Sequence, residues 1–216
     1  HRPGAGGGGS FVVKASPVLA TENDILVIAG AGGGGGQWGR GTNGGHATSA
    51  THDTSTPVAE GIPFGGGWYA TGPPGEGGDP STSYLALGHP GAGFLTDGVA
   101  SPGSPYTSYV AQCPRSYVNS SGPNDWDKPL VGGRVTTWMA GQGGFGGGGG
   151  SGLGPGGGGG GYSGGDTYGT WSSSGRGYGG GSINNGTNTS YDLDHNYVPN
   201  YDGHGKVIIT LLSNET

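Results

Sequence analysis

One cysteine, Cys113, serves the whole chain of 216 residues, so no internal disulfide can form. A cysteine-stapled scaffold is thereby excluded, and Cys113 is either a free thiol or a bridge to another chain. Charge is equally scarce. Charged residues make up 10 % of the chain, and its eight Lys plus Arg are spread from Arg2 to Lys206. With a net charge of −6 and no basic patch, the composition speaks against nucleic acid as a partner. No apolar stretch is long enough to cross a bilayer, so membrane insertion is not expected. Hydrophobic residues are 30 % of the chain, below the globular norm, which predicts a core thin in side chains.

What the chain has instead is glycine, 58 residues of it, with uninterrupted runs at 32–36, 146–150 and 156–161. Together with 15 prolines, glycine fills about a third of the sequence, a composition that ordinarily signals disorder. Two features oppose disorder. Low charge leaves little repulsion to keep the chain open, and 5 Trp, 11 Tyr and 4 Phe are an unusual load for a linker. Aliphatic segments also sit directly beside the runs: Phe11-Val12-Val13, Ile25-Leu26-Val27-Ile28-Ala29 and Val207-Ile208-Ile209-Thr210-Leu211-Leu212. An ordered fold is therefore expected, with backbone hydrogen bonds carrying more of its stability than usual. Polyglycine can form an extended threefold helix whose N–H and C=O groups all point outward. Several such helices side by side can bond laterally, with no Cβ to hold them apart. Collagen is excluded, because no strict Gly-X-Y period runs through the chain.

The organisation expected is a single glycine-rich domain over 1–216, with a Ser/Thr/Pro-rich insertion at 43–129 and a closing β-strand at 203–212. A β-hairpin is predicted over 11–29, with strands at 11–15 and 25–29 and a turn around Thr21-Glu22-Asn23-Asp24. No helical period is visible in 42–129. The predicted fold class is mainly β and irregular, without α-helix: bundled polyglycine-II helices clamped by short antiparallel β-strands.

Motifs that carry chemistry are missing. A phosphate-binding loop closes its glycines with Lys-Ser/Thr, whereas these runs lead into Gln37-Trp38, Ser151 and Tyr162. His1, His46, His52, His89, His195 and His204 show no paired metal-ligand spacing. Copper held by an amino-terminal His1 would need a second histidine and a well-packed sandwich. Asp192, Asp194 and Asp202 lack a calcium-loop motif and read as a solvated acidic segment. No Gly-x-Ser-x-Gly elbow is set between a strand and a helix. No enzyme activity and no cofactor are expected. Tyr162, Tyr168, Trp171, Tyr178, Tyr191, Tyr197 and Tyr201 either cover the glycine bundle or form a sugar-binding strip, and cover is favoured. Four Asn-x-Ser/Thr sequons mark Asn119, Asn185, Asn188 and Asn214 as glycosylation sites if the source attaches N-glycans. A chain beginning with His1 rather than Met fits removal of a signal peptide.

Three stretches together resemble one family. They are residues 6–13 with 25–32, then Gly143-Gly144-Phe145 with its glycine run and the later run ending in Tyr162-Ser163-Gly164-Gly165, then Asp202-Gly203-His204-Gly205-Lys206-Val207-Ile208-Ile209. In order and spacing they look like the glycine-rich extracellular domain of the anaplastic lymphoma kinase and leukocyte tyrosine kinase receptors, and like related secreted glycine-rich proteins. The resemblance spans about residues 4–40 and 130–212 and implies polyglycine helices clamped by β-strands. It does not carry function across, because the receptor domains depend on a cysteine framework that is lacking here. Such domains also open with extra strands before the first glycine run, whereas this chain starts almost on it. The expectation is an incomplete sheet whose edge pairs with a neighbouring subunit. Phe11, Val12, Val13 and Cys113 are the intermolecular contact candidates. The function expected is that of a secreted, glycosylated, self-assembling structural protein of the cell surface or extracellular space, with copies of itself and glycans as partners. The alternative is a binding module, a receptor-like ectodomain or viral tail-tip adhesin presenting loops on a polyglycine scaffold.

Overall fold

A computed structural model describes residues 2–36, 44, 74–80, 88–99, 110–118, 128–135, 141–152, 154–169 and 175–185. Among these residues there is no α-helix. Regular structure consists of small antiparallel sheets and two single-turn 3-10 helices, Pro17–Leu19 and Glu22–Asp24. The expected closing strand at 203–212 lies outside the described residues.

The predicted hairpin is present. Strand β1 (Ser10–Val13) pairs antiparallel with β2 (Ile25–Ala29), placing Phe11 opposite Ile28 and Val12 opposite Val27, with a register shift between Val12 and Val13. β-Branched residues at Val12, Val13, Ile25, Val27 and Ile28 suit the pleated surface. The turn is fixed by Asp24, whose carboxylate accepts from the Thr21 N–H at 2.9 Å and the Thr21 hydroxyl at 2.8 Å. These bonds hold the exposed Asp24 carboxyl below its usual range, the backbone donor most strongly. Four short strands, β3 (Val110–Gln112), β4 (Arg134–Val135), β5 (Thr167–Tyr168) and β6 (Arg176–Gly177), form two hairpin-like pairs, β3 with β4 and β5 with β6. Strand β7 (Ile183–Asn184) joins the far side of β2, giving the sheet order β1-β2-β7.

Between these sheets the glycine-rich segments form a lateral hydrogen-bond network with a period of three. Along 157–162 successive amides donate to three segments in rotation. Gly157 and Gly160 donate to Gly4 and Gly7, Gly158 and Gly161 to His89 and Ala92, and Gly159 and Tyr162 to Tyr178 and Gly181, at 2.7–3.4 Å. The carbonyls of Gly157 and Gly160 accept from Gly34 and Ala31, that of Gly158 from Gly149, and that of Gly159 from Gly165. The same step of three recurs around it: Gly4 and Gly7 donate to Gly35 and Gly32, Gly6 and Gly9 to Gly149 and Gly146, and His89 and Ala92 to Gly150 and Gly147. A pleated strand alternates with period two and bonds on two sides only. Here polar groups leave each segment in three directions, so one run is surrounded by neighbours. Residues 154–165 are buried throughout.

Glycine is required by that crowding. A Cβ on Gly157, Gly158, Gly159 or Gly160 would overlap the backbone of Gly149, Gly165, Ala31 or Gly146 respectively. Backbone cannot swing aside as a side chain can. Among the described residues the apolar core is small: Ala20, Ile25, Ile28, Phe94 and Tyr162 are buried together, with Phe11, Val13, Leu95, Tyr117 and Ile183 packed against them. Three aromatic rings stack in series, Phe11 on Tyr117 at 5.7 Å and Tyr117 on Phe94 at 5.3 Å between centroids. The cluster joins residues of β1, β2 and β7 to Phe94 and Tyr162 of the glycine-rich segments.

Candidate functional site

The expected contact residues divide by position. Phe11 and Val13 pack against the chain's own core, Phe11 through its stack on Tyr117. Val12 sits opposite Val27 and is half-buried. Cys113 is also half-buried, just after β3 and just before the fully buried Pro114. Of the sequon asparagines, Asn119, Asn188 and Asn214 lie outside the described residues. Asn185 follows β7 directly and is exposed. Its backbone N–H donates to Leu26 at 3.0 Å and its side-chain amide to the Ile25 carbonyl at 3.2 Å, so it also closes the sheet.

The aromatic strip separates in the same way. Tyr162 is buried, and its hydroxyl donates to Glu22 Oε1 at 2.6 Å. Burial, and then the Glu22 carboxylate, push the Tyr162 phenol far above its ordinary value. Tyr178 is buried beneath the Arg176 guanidinium, which lies 5.1 Å above its ring centroid. Tyr168, opposite Arg176 on the β5–β6 pair, is 58 % exposed. Trp171, Tyr191, Tyr197 and Tyr201 lie outside the described residues. Within those residues, Tyr162 and Tyr178 cover the glycine segments and Tyr168 faces solvent.

Another aromatic is presented more openly. Phe145 is 71 % exposed on a turn that glycine makes possible, with Gly146 at φ 103° and Gly147 at φ 81°. Both of their amides donate to the carbonyl of Leu130, itself at φ 63°, while Gly144 donates to Gly6. The Phe145 ring therefore stands on a backbone tied at both sides. Leu19 is 77 % exposed on the first 3-10 turn, and Leu26 is 42 % exposed on β2.

Polar groups inside serve the scaffold. The hydroxyl of Ser151 donates to Pro3 O at 3.0 Å, while Ser163 and Ser182 accept from the amides of Gly75 and Gly30. Asp97 holds Arg115 at 2.7 Å and also accepts from the Ser116 amide. Asp166 accepts from the Asp79 amide at 2.7 Å, and its carboxyl is pushed up to about 7, chiefly by burial and further by the Asp79 charge. His89 is buried, and burial alone pulls its imidazole down to about 4. Among the described residues, no group of three or more His, Cys, Asp or Glu side chains is placed to hold a metal ion. No helix there is long and apolar enough to cross a membrane.

No protein-family model, curated protein or solved structure matches the chain.

Sequence reasoning missed members of the network that lie inside the expected insertion: residues 75–79, where Gly78 donates to Gly91 and Glu76 accepts from Gly164, and residues 88–94. Within 88–94, Gly-His-Pro-Gly-Ala-Gly-Phe, His89 and Ala92 accept from the central run. The signal of 88–94 was the short Gly91-Ala92-Gly93, which parallels Gly30-Ala31-Gly32. Both alanines are buried, at 1 % and 2 % exposure.

Proposed function

We propose that the chain is a secreted, non-enzymatic structural protein, the subunit of a self-assembling extracellular or cell-surface filament or matrix. Its scaffold is a bundle of polyglycine-II helices clamped by short antiparallel strands, the arrangement expected from the resemblance to glycine-rich receptor ectodomains. The observation that carries this is the three-residue period of lateral bonding along 157–162, the period of an extended threefold helix. Among the described residues, an interior of backbone amides is rigid and leaves few side chains inside for binding or catalysis. The buried hydroxyls of Ser151 and Ser163 are occupied in bracing backbone.

Assembly joins copies of the chain through surface apolar groups on rigid backbone, with Phe145 and Leu19 the best placed. Charged residues are only 10 % of the chain, so few charged side chains compete with apolar contact at such a surface. A glycan on Asn185, which is exposed, faces solvent in the assembly. Electron microscopy of material isolated from its source tests this. Regular filaments or sheets built of the chain are expected. Discrete monomers would overturn the proposal and move the weight to a monomeric binding module.

A further inference from the structure

Among the described residues, the ring of His89 is a buried group in the glycine network with chemistry and no evident use. Its backbone is a rung of that network: the amide donates to Gly150 at 2.8 Å and the carbonyl accepts from Gly158 at 2.9 Å. The side chain is 1 % exposed. Neither ring nitrogen has a hydrogen-bond partner among the described residues. Pro114 Cδ and the ring's Nδ1 both crowd the side-chain position of Gly133, at 2.9 and 3.0 Å from where a Cβ would stand. The neutral ring is held by packing alone.

The titratable groups on the described segments packed against it offer its ring no hydrogen-bond partner. Arg115, beside Pro114, is engaged with Asp97. Arg134, beside Gly133, is exposed and of the wrong sign, Cys113 is half-buried, and Asp166 follows Gly165, which accepts from Gly91. The runs at 149–150 and 158 carry no titratable side chain. No charge contributes to the depressed basicity of the ring, which comes from burial alone.

We propose that His89 is an acid-sensitive lock on the glycine network: a proton on its ring finds no acceptor, so protonation drives the ring out and breaks the Gly150–His89–Gly158 rung. A buried imidazolium with no partner is costly, and the ring leaves its site instead of carrying the charge inside. The direction follows from linkage. The unfolded ring binds its proton at the ordinary value of 6.5 and the folded ring at about 4. Stability is therefore complete above the unfolded value and is lost as pH falls through that interval. The device belongs to the single chain and stands whether or not copies assemble.

Unfolding midpoints of the dispersed chain at about pH 7.5 and about pH 5 test it, for wild type and for His89→Leu. The wild type is expected to lose about 5 °C or more relative to the variant on acidification. Comparing the two cancels the opposite contribution of Asp166, which both share. Parallel shifts would overturn the proposal. Should His89→Leu fail to fold, an NMR titration of the wild-type ring decides instead. The ring is expected to stay neutral until the Gly158 amide loses exchange protection. A ring that titrates near 6.5 with that amide still protected contradicts the lock.

Discussion

At Gly158 the place where a side chain would begin is occupied by the backbone of Gly165 and Gly91. Gly158→Ala is expected to destabilise the chain by about 3 kcal/mol, at the upper end of overpacking because the obstruction is backbone. Denaturant unfolding measures it. Alanine does occur in the network, at Ala31 and Ala92, so tolerance depends on which neighbour each Cβ meets. No local sequence feature distinguishes Gly158 from those positions, because the obstruction comes from segments remote in the chain. Tyr162→Phe removes the bond to Glu22 and is expected to cost about 1–2 kcal/mol by the same assay. Asp166 titrates in the opposite sense to His89. Its folded carboxyl, raised to about 7 from 3.8, contributes stability that is complete below the unfolded value and lost as pH rises through the folded one. Asp166→Asn is expected to remove that loss, leaving the variant more stable than wild type at about pH 8 and less dependent on pH above about 5. A wild-type-like pH profile in the variant would show that the carboxyl ionises freely.

Among the elements, the β1–β2 hairpin was readable in the sequence, since two β-branched runs flank a polar turn. The capping box of Thr21 and Asp24 within that turn also follows from residue type. Strand β7 was not readable, because Ile183-Asn184 has no apolar pattern of its own and owes its pairing to β2. Residues 88–94 were hidden for a related reason. Gly91-Ala92-Gly93 marks them as glycine-rich, but which run they join depends on the amides of Gly158 and Gly161, remote in the chain. The aromatic series was half visible: the residue types were evident, but the stacking of Phe11, Tyr117 and Phe94 joins residues remote in sequence. Tyr117→Leu breaks both stacks and the 3.0 Å bond to the Ala15 carbonyl, and is expected to cost about 2 kcal/mol or more in thermal or denaturant unfolding.

At the scale of the whole molecule, the described residues replace the usual interior of packed side chains by an interior of paired amides. Composition pointed that way, because a chain this poor in apolar residues and charge has few other means of staying ordered. What composition could not specify is which run lies beside which. The arrangement makes function a matter of surface and stiffness. Glycine loses more backbone entropy on ordering than any other residue, so the lateral bonds must be made nearly everywhere for the fold to persist. Amide hydrogen exchange along 157–161 reads this directly. Protection equal to that of β2 is expected, with all five amides slow because each has its own acceptor. Exchange at the rate of an unfolded chain along that run, with β2 still protected, would contradict it.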